Sequence, residues 1–135
     1  MKLTVYTEKR NGFAQDAIEL KQQALSLLQI ECDVRVLNGY TVDDISTNDI
    51  DKAIKYVFSE PMVDKVHDKL PHTIGTIIAR EPLPGQYDQR SDSAVQCLKC
   101  LDFESNPSVK SFQVVLFNRV LSKEEENRFI KFWIN

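Results

Sequence analysis

Residues 46–59 align without a gap onto residues 122–135, and this duplication constrains the fold more than any other feature of the chain. Within it, Ile54-Lys55-Tyr56-Val57-Phe58 stands opposite Ile130-Lys131-Phe132-Trp133-Ile134. Upstream the correspondence thins: Ala24-Leu25 falls opposite Cys100-Leu101, Asp16 opposite Asp92, and 8–12 opposite 81–85 with a small gap afterwards. Chance similarity between two amphipathic helices is the competing explanation, and a matching order of elements weighs against it. A unit of two strands and two helices is too small to cover its own sheet, but two units can share one. The expectation is therefore an α+β pseudo-dimer. Two strand-helix-strand-helix repeats would share a four-stranded, mainly antiparallel sheet with helices packed on it. Repeat one spans about 1–61, a connector 62–72 and repeat two about 73–135, all in one domain. Two repeats are too few for a solenoid.

The elements follow from periodicity. Leu3 and Val5 alternate with polar neighbours, as in a short strand closed by Asn11-Gly12. From Phe13 the period becomes helical, with Ala14, Ala17, Ile18, Ala24, Leu25 and Leu28 on one face and Leu20 and Leu27 flanking it. A second strand fits 34–42. Asn38-Gly39 inside it permits a hairpin, but the arms would be three or four residues long, so one strand with a glycine irregularity is the better reading. Ser46 and Asp49 open a helix that buries Ile50, Ala53, Ile54, Val57 and Phe58 and ends at Glu60-Pro61. Residues 62–72 read as a polar connector, 73–80 as a third strand, Pro82 and Pro84-Gly85 as a rigid loop, and 91–103 as a third helix. Asn106-Pro107 marks a turn. In 111–121, Phe112, Val114 and Leu116 occupy one face and Val115 and Phe117 the other, the pattern of a strand buried on both sides. Ser122-Lys123-Glu124-Glu125 is a capping box for a last helix expected to bury Phe129, Ile130, Trp133 and Ile134.

Composition narrows the function classes. The chain has 135 residues, 42% hydrophobic and 27% charged, with a formal net charge of -3. No basic stripe suggests a nucleic-acid partner, no apolar run reaches membrane-span length, and 1–8 is too polar for a signal peptide. The expected compartment is the cytoplasm, with its three cysteines reduced. Cys97 and Cys100 have a Cys-x-x-Cys spacing, but a closed zinc site needs two further ligands, and Cys32, His67 and His72 stand at no recognisable spacing. Both cysteines fall well inside a helix, on the face of Ala94 and Leu101, so a buried structural pair is expected rather than a redox pair. His67 and His72 read as surface residues, and Asp43-Asp44 and Glu124-Glu125-Glu126 as solvated charges at helix starts. No catalytic residue and no metal site is expected. The stretch 84–94 differs, because it concentrates polar groups between a rigid turn and a helix. Free amides, hydroxyls and the fork of Arg90 suit an anion or another domain, and Gln86, Asp88, Gln89, Arg90 and Ser93 are the candidate docking or active-site-edge residues.

The same stretch carries a resemblance. Leu83-Pro84-Gly85-Gln86-Tyr87-Asp88-Gln89-Arg90-Ser91-Asp92-Ser93-Ala94 resembles a motif near the start of single-chain phosphoribosylformylglycinamidine (FGAM) synthases of clostridial and related type. Phe58-Ser59-Glu60-Pro61-Met62-Val63-Asp64 is similar to a second motif of theirs, and Asp33-Val34-Arg35-Val36-Leu37-Asn38 followed by Tyr40 to a third. Phe129-Ile130-Lys131-Phe132-Trp133-Ile134-Asn135 resembles the point where family members continue into a linker. Tyr87, Ser91 and Met62 depart from the pattern, standing where the family has Phe, Ala and Gln. The resemblance covers essentially the whole chain. It implies the N-terminal part of an enzyme that converts formylglycinamide ribonucleotide, glutamine and ATP into FGAM, glutamate, ADP and phosphate. In the family this domain is similar to a fused dimer of the small structural subunit of multi-subunit enzymes. The chemistry, with its ATP, magnesium and Cys-His-Glu glutaminase triad, belongs to the other domains. The resemblance thus implies a non-catalytic domain without a cofactor of its own, whose partners are the synthetase and glutaminase domains. Weak self-association of the isolated chain is a further expectation, since a docking domain exposes apolar surface.

Overall fold

A computed structural model describes residues 2–83, 85–100 and 107–134. Five strands form one antiparallel sheet in the order β3-β1-β2-β5-β4. They are β1 (Leu3–Lys9), β2 (Val34–Asp43), β3 (Asp64–His67), β4 (Ile77–Arg80) and β5 (Ser108–Phe117). The helices are α1 (Gln15–Leu28), α2 (Thr47–Ala53), α3 (Gln89–Cys100) and α4 (Lys123–Trp133), and a π-helical turn, Ile54–Phe58, continues α2. The class is α+β, as expected, but the sheet has five strands rather than four. The fifth lies in the supposed connector: Asp64–His67 adds to the free edge of β1, with Thr7 opposite Val66. An edge strand is held by backbone bonds, so it needs no apolar alternation of its own.

Cross-strand partners share a face of a sheet. Val34, Val36, Asn38, Tyr40 and Val42 therefore look the same way as Phe117, Val115, Gln113, Ser111 and Val109 opposite them. All four helices pack on this face, in two groups. One cluster joins Leu20 and Ala24 of α1 and Phe129 and Trp133 of α4 to Val34, Val36, Ile78, Val115 and Phe117. The other joins Ala53, Phe58 and α3 residues Ala94 and Leu98 to Val5, Val42 and Val109. Between the two apolar ends lies a polar middle, where Gln113 Nε2 donates to Asn38 Oδ1 at 3.0 Å. On the opposite face Leu37, Val114 and Leu116 are buried beneath Tyr6, Phe112 and Leu70. Strand β5 thus has apolar residues on both faces and strands on both sides, as its pattern predicts.

Continuous pairing from Val34 to Asp43 rules for the single strand and against the hairpin. Gly39 leaves room for the Phe112 ring, which lies over it: a Cβ would stand 2.2 Å from that ring unless the ring turned aside. Helix α1 is rotated from its expected facing. Leu20 and Ala24 are buried, with Ala17 and Leu28 beside them, whereas Ile18 and Leu25 are about half exposed. The capping box of α4 is formed in both directions, Glu125 N–H to Ser122 Oγ and Ser122 N–H to Glu125 carboxylate. Ser46 makes no such cap; its hydroxyl donates to Asp49 Oδ2 at 2.9 Å instead. Ile130 of α4 and Ile134 just after it are exposed rather than buried. The predicted end of the third helix at Phe103, the Asn106-Pro107 turn and the Pro84 part of the rigid loop lie outside the described residues.

His67 is not a free surface residue. Its Nε2 lies 3.0 Å from Glu8 Oε1, and Arg35 grips the same carboxylate through Nε at 2.7 Å and Nη2 at 2.6 Å. Lys65 faces Glu8 across the strand pair. Burial pushes the Glu8 carboxyl up, but the hydrogen bonds and charges of Arg35 and His67 outweigh it and hold the group below its ordinary value of 4.5. A depressed carboxylate binds fewer protons folded than unfolded, so its contribution is complete above the unfolded value and is lost as pH falls through the folded one. Glu8→Gln is expected to cost about 1–3 kcal/mol at neutral pH. It should also flatten the fall in melting temperature between about pH 5 and pH 3. An unchanged acid limb in that variant would show that Glu8 is not what the acid titrates.

Candidate functional site

The candidate residues are placed by two adjoining devices, a turn and a helix start. Gln86 N–H donates to Leu83 O at 2.9 Å and Gln86 Oε1 accepts Leu83 N–H at 3.0 Å, which folds the chain back before α3. Gly85 makes this turn possible with a φ of +85°. Asp88 stands immediately before α3 and caps it: Asp88 O accepts Asp92 N–H, and Oδ1 accepts Ser91 N–H at 3.0 Å. The Ser91 hydroxyl also donates to Oδ2. The same carboxylate accepts Ser111 N–H at 3.2 Å and its hydroxyl at 2.7 Å, so one residue both starts the helix and bolts it to β5. Burial raises the Asp88 pKa, while the bonds from Ser91 and Ser111 more than reverse this and leave it below 3.8. Ser91, where the resembled motif has Ala, is buried and supplies two of these donors. Asp88 is therefore a positioning residue. Asp88→Ala is expected to cost about 1–2 kcal/mol, the worth of a strong N-cap, read as a lowered melting temperature; an unchanged one would refute that role.

With α3 so placed, Arg90, Ser93 and Cys97 follow one another at helical spacing along a groove of about 830 Å³. Its floor is the polar middle of the sheet, with Tyr40, Ser111 and Gln113; its far wall is the end of α4, with Trp133 and Ile134. All five candidates, Gln86, Asp88, Gln89, Arg90 and Ser93, line it. So does Arg80, which sequence reasoning missed. Arg80 Nε and Nη2 both donate to Gln113 Oε1, at 3.0 and 2.6 Å, and Nη1 donates to Trp133 O at 2.5 Å. Its guanidinium lies 4.1 Å from the Trp133 ring centroid, a stacked cation–π contact. The signals that pointed to it were an arginine at a strand end just before the motif and Gln113, a polar residue breaking an apolar strand.

Electrostatically the groove is unusual for its two arginines. Burial lowers the Arg80 pKa and the nearby positive charge of Arg90 lowers it further. Among the described residues neither arginine has a carboxylate partner within ion-pair distance. Burial raises the Tyr40 phenol, partly offset by Arg90.

The other sequence candidates separate from this site. Cys97 and Cys100 are both exposed, contrary to the expected buried pair, because α3 turns Ala94 and Leu98 to the core. Cys32 is the buried cysteine, and burial pushes its thiol up. Among the described residues no group of three or more His, Cys, Asp or Glu side chains converges on a metal-sized site. No helix among them is long and apolar enough to cross a membrane. The second motif is structural here: Ser59 Oγ closes the π-helical turn on Ile54 O at 2.7 Å. Buried Asp64 accepts Glu60 N–H at 2.8 Å and pairs with Lys9 at 2.9 Å. No protein-family model matches the chain, and neither a curated protein nor a solved structure matches it significantly.

Proposed function

We propose that this chain is the non-catalytic N-terminal bridging domain of a cytoplasmic FGAM synthase, docking on the ATP-dependent synthetase domains and the glutaminase domain. The observation that supports it most is the fate of the resembled motif. Its polar residues do not scatter over the surface; a turn, a cap and one helical face bring them to one groove. Leu83 and Tyr87 stand 73% and 72% exposed at the rim, apolar surface of the kind that docking covers. Holding the two catalytic domains in fixed relation would let ammonia pass between them without loss to water, which lowers the entropic cost of the second step. ATP and magnesium would bind in the synthetase domains. Exposed apolar side chains such as Ile18 and Leu25 would give the isolated chain a weak tendency to self-associate.

The fused-dimer origin belongs to the same proposal. Helices α1 and α4 share one end of the sheet, and α2 and α3 share the other. A twofold axis through the paired, hydrogen-bonded Asn38 and Gln113 would exchange these ends and exchange β1-β2 with β4-β5. Strand β3 would be the addition that breaks the symmetry. The test of function is Arg90→Ala in a single-chain FGAM synthase that carries this domain. Glutamine-dependent synthesis should fall several-fold, with glutamine hydrolysis no longer coupled to it. Unchanged synthesis and coupling would sink the reading. A free-standing regulatory domain is the second reading, and the open groove is the observation that favours it.

A further inference from the structure

We propose that the groove between α3 and α4 is a binding site for a phosphorylated small molecule, with its phosphate held between Arg80 and Arg90. The argument begins with Arg80. Three of its N–H groups are committed to the neutral oxygens of Gln113 and Trp133, which fixes the guanidinium plane without neutralising its charge. Arg80 is half-buried and has no carboxylate partner among the described residues, a placement that is costly unless a counter-charge arrives. Arg90 sits near enough to raise that cost, and its side chain makes no hydrogen bond or ion pair among the described residues. Two positive charges facing one space match a dianion better than a monoanion, and guanidinium forks suit phosphate oxygens.

Among the described residues the carboxylates at the groove, Asp88 and Glu81, keep their charge but pair with neither arginine. Asp88 spends its oxygens on the amides and hydroxyls of Ser91 and Ser111, and Glu81 makes no ion pair with either arginine. The Tyr40 hydroxyl has no hydrogen-bond partner among the described residues and is free to donate from the floor. At about 830 Å³ the groove is far larger than one phosphate and lies within the range of small-molecule sites. Trp133, Tyr40 and Val57 supply flat and apolar surface for the remainder of such a ligand.

The test uses the 135-residue chain with AMP, adenosine, inorganic phosphate and citrate as probes. Trp133, the single tryptophan, lines the groove and reports occupancy by fluorescence. AMP is expected to titrate to saturation, inorganic phosphate to compete with it, and adenosine to bind much more weakly. Arg90→Gln should weaken AMP by about tenfold, the loss of one charge-assisted contact. The unliganded melting temperature of that variant should stay unchanged, because Arg90 holds nothing in the fold. No saturable titration, adenosine equal to AMP, citrate bound in place of phosphate, or Arg90→Gln equal to the parent would each overturn the proposal. Binding by the isolated chain and coupling in the synthase are separate readouts, so failure of this inference is distinguishable from failure of the bridging role.

Discussion

Phe129→Ala is expected to destabilise the chain by about 3–5 kcal/mol, the range for removing a fully buried aromatic side chain. Phe129 is fully buried where α4 meets the sheet. Its ring meets Phe117 edge-on at 5.0 Å between centroids and Trp133 at 5.5 Å. The cavity would open between β5 and α4, whose own backbone is held by the Ser122–Glu125 capping box and by Arg119 bonded to Glu125 at 2.7 and 3.0 Å. Collapse around the gap is therefore restricted, which places the cost toward the upper part of the range. Domains of this size are stable by only about 5–15 kcal/mol, so much of the protein should unfold at denaturant concentrations the parent tolerates. Urea unfolding followed by circular dichroism measures the loss. A cost under about 1 kcal/mol, the level of an ordinary surface substitution, would mean that α4 is not packed as described.

Gly75→Ala carries the second large effect, and its cause is backbone rather than side chain. A Cβ at Gly75 would stand 1.9 Å from Phe117 O and 2.7 Å from both Arg119 N and Arg119 O. None of these atoms can swing aside. Thr73 Oγ1 donates to Phe117 O at 2.8 Å, Phe117 N–H to Thr76 O at 2.9 Å and Thr76 N–H to Arg119 O at 3.1 Å. Leu121 N–H is held by Thr76 Oγ1 at 2.8 Å. Relief of the overlap requires the segment to lift off, losing several of these bonds at about 0.5–1.5 kcal/mol each on top of an overpacking cost of about 1–3 kcal/mol. The expected total is about 3 kcal/mol or more. Gly39→Ala is the internal comparison, because there the obstacle is the Phe112 ring, a side chain that can rotate away. Melting temperatures should fall much further for Gly75→Ala. The reverse order would show that the 73–76 segment does not lie against the end of β5.

Much of the scaffold was legible because periodicity and capping are local. The apolar alternation of β5 on two faces, the Ser122–Glu125 box and the helical spacing from Ser91 onward each rest on a few adjacent residues. Edge strand β3 was not, since Asp-Lys-Val-His has no pattern of its own and is defined by β1 beside it. Helix α1 offered two adjoining apolar stripes, and only contact with α4 and β2 decides which is buried. For the candidate site, the motif residues were found as a run, but Arg80, Tyr40, Gln113 and Trp133 come from four separate elements. Their meeting depends on strand register, which places Arg80 opposite Gln113 and Asn38 opposite the same residue. Exposure of Cys97 and Cys100 turned on helix rotation, where a single position separates core from solvent.

The bridging role is tested most directly by reconstitution. The corresponding N-terminal segment is deleted from a single-chain FGAM synthase, and glutamine-dependent and ammonia-dependent FGAM formation are assayed before and after adding this chain. The account predicts that deletion lowers both activities and that the added chain restores them, with Arg90→Ala restoring less. If deletion leaves both activities intact, or the chain restores neither, the domain is not the bridge proposed.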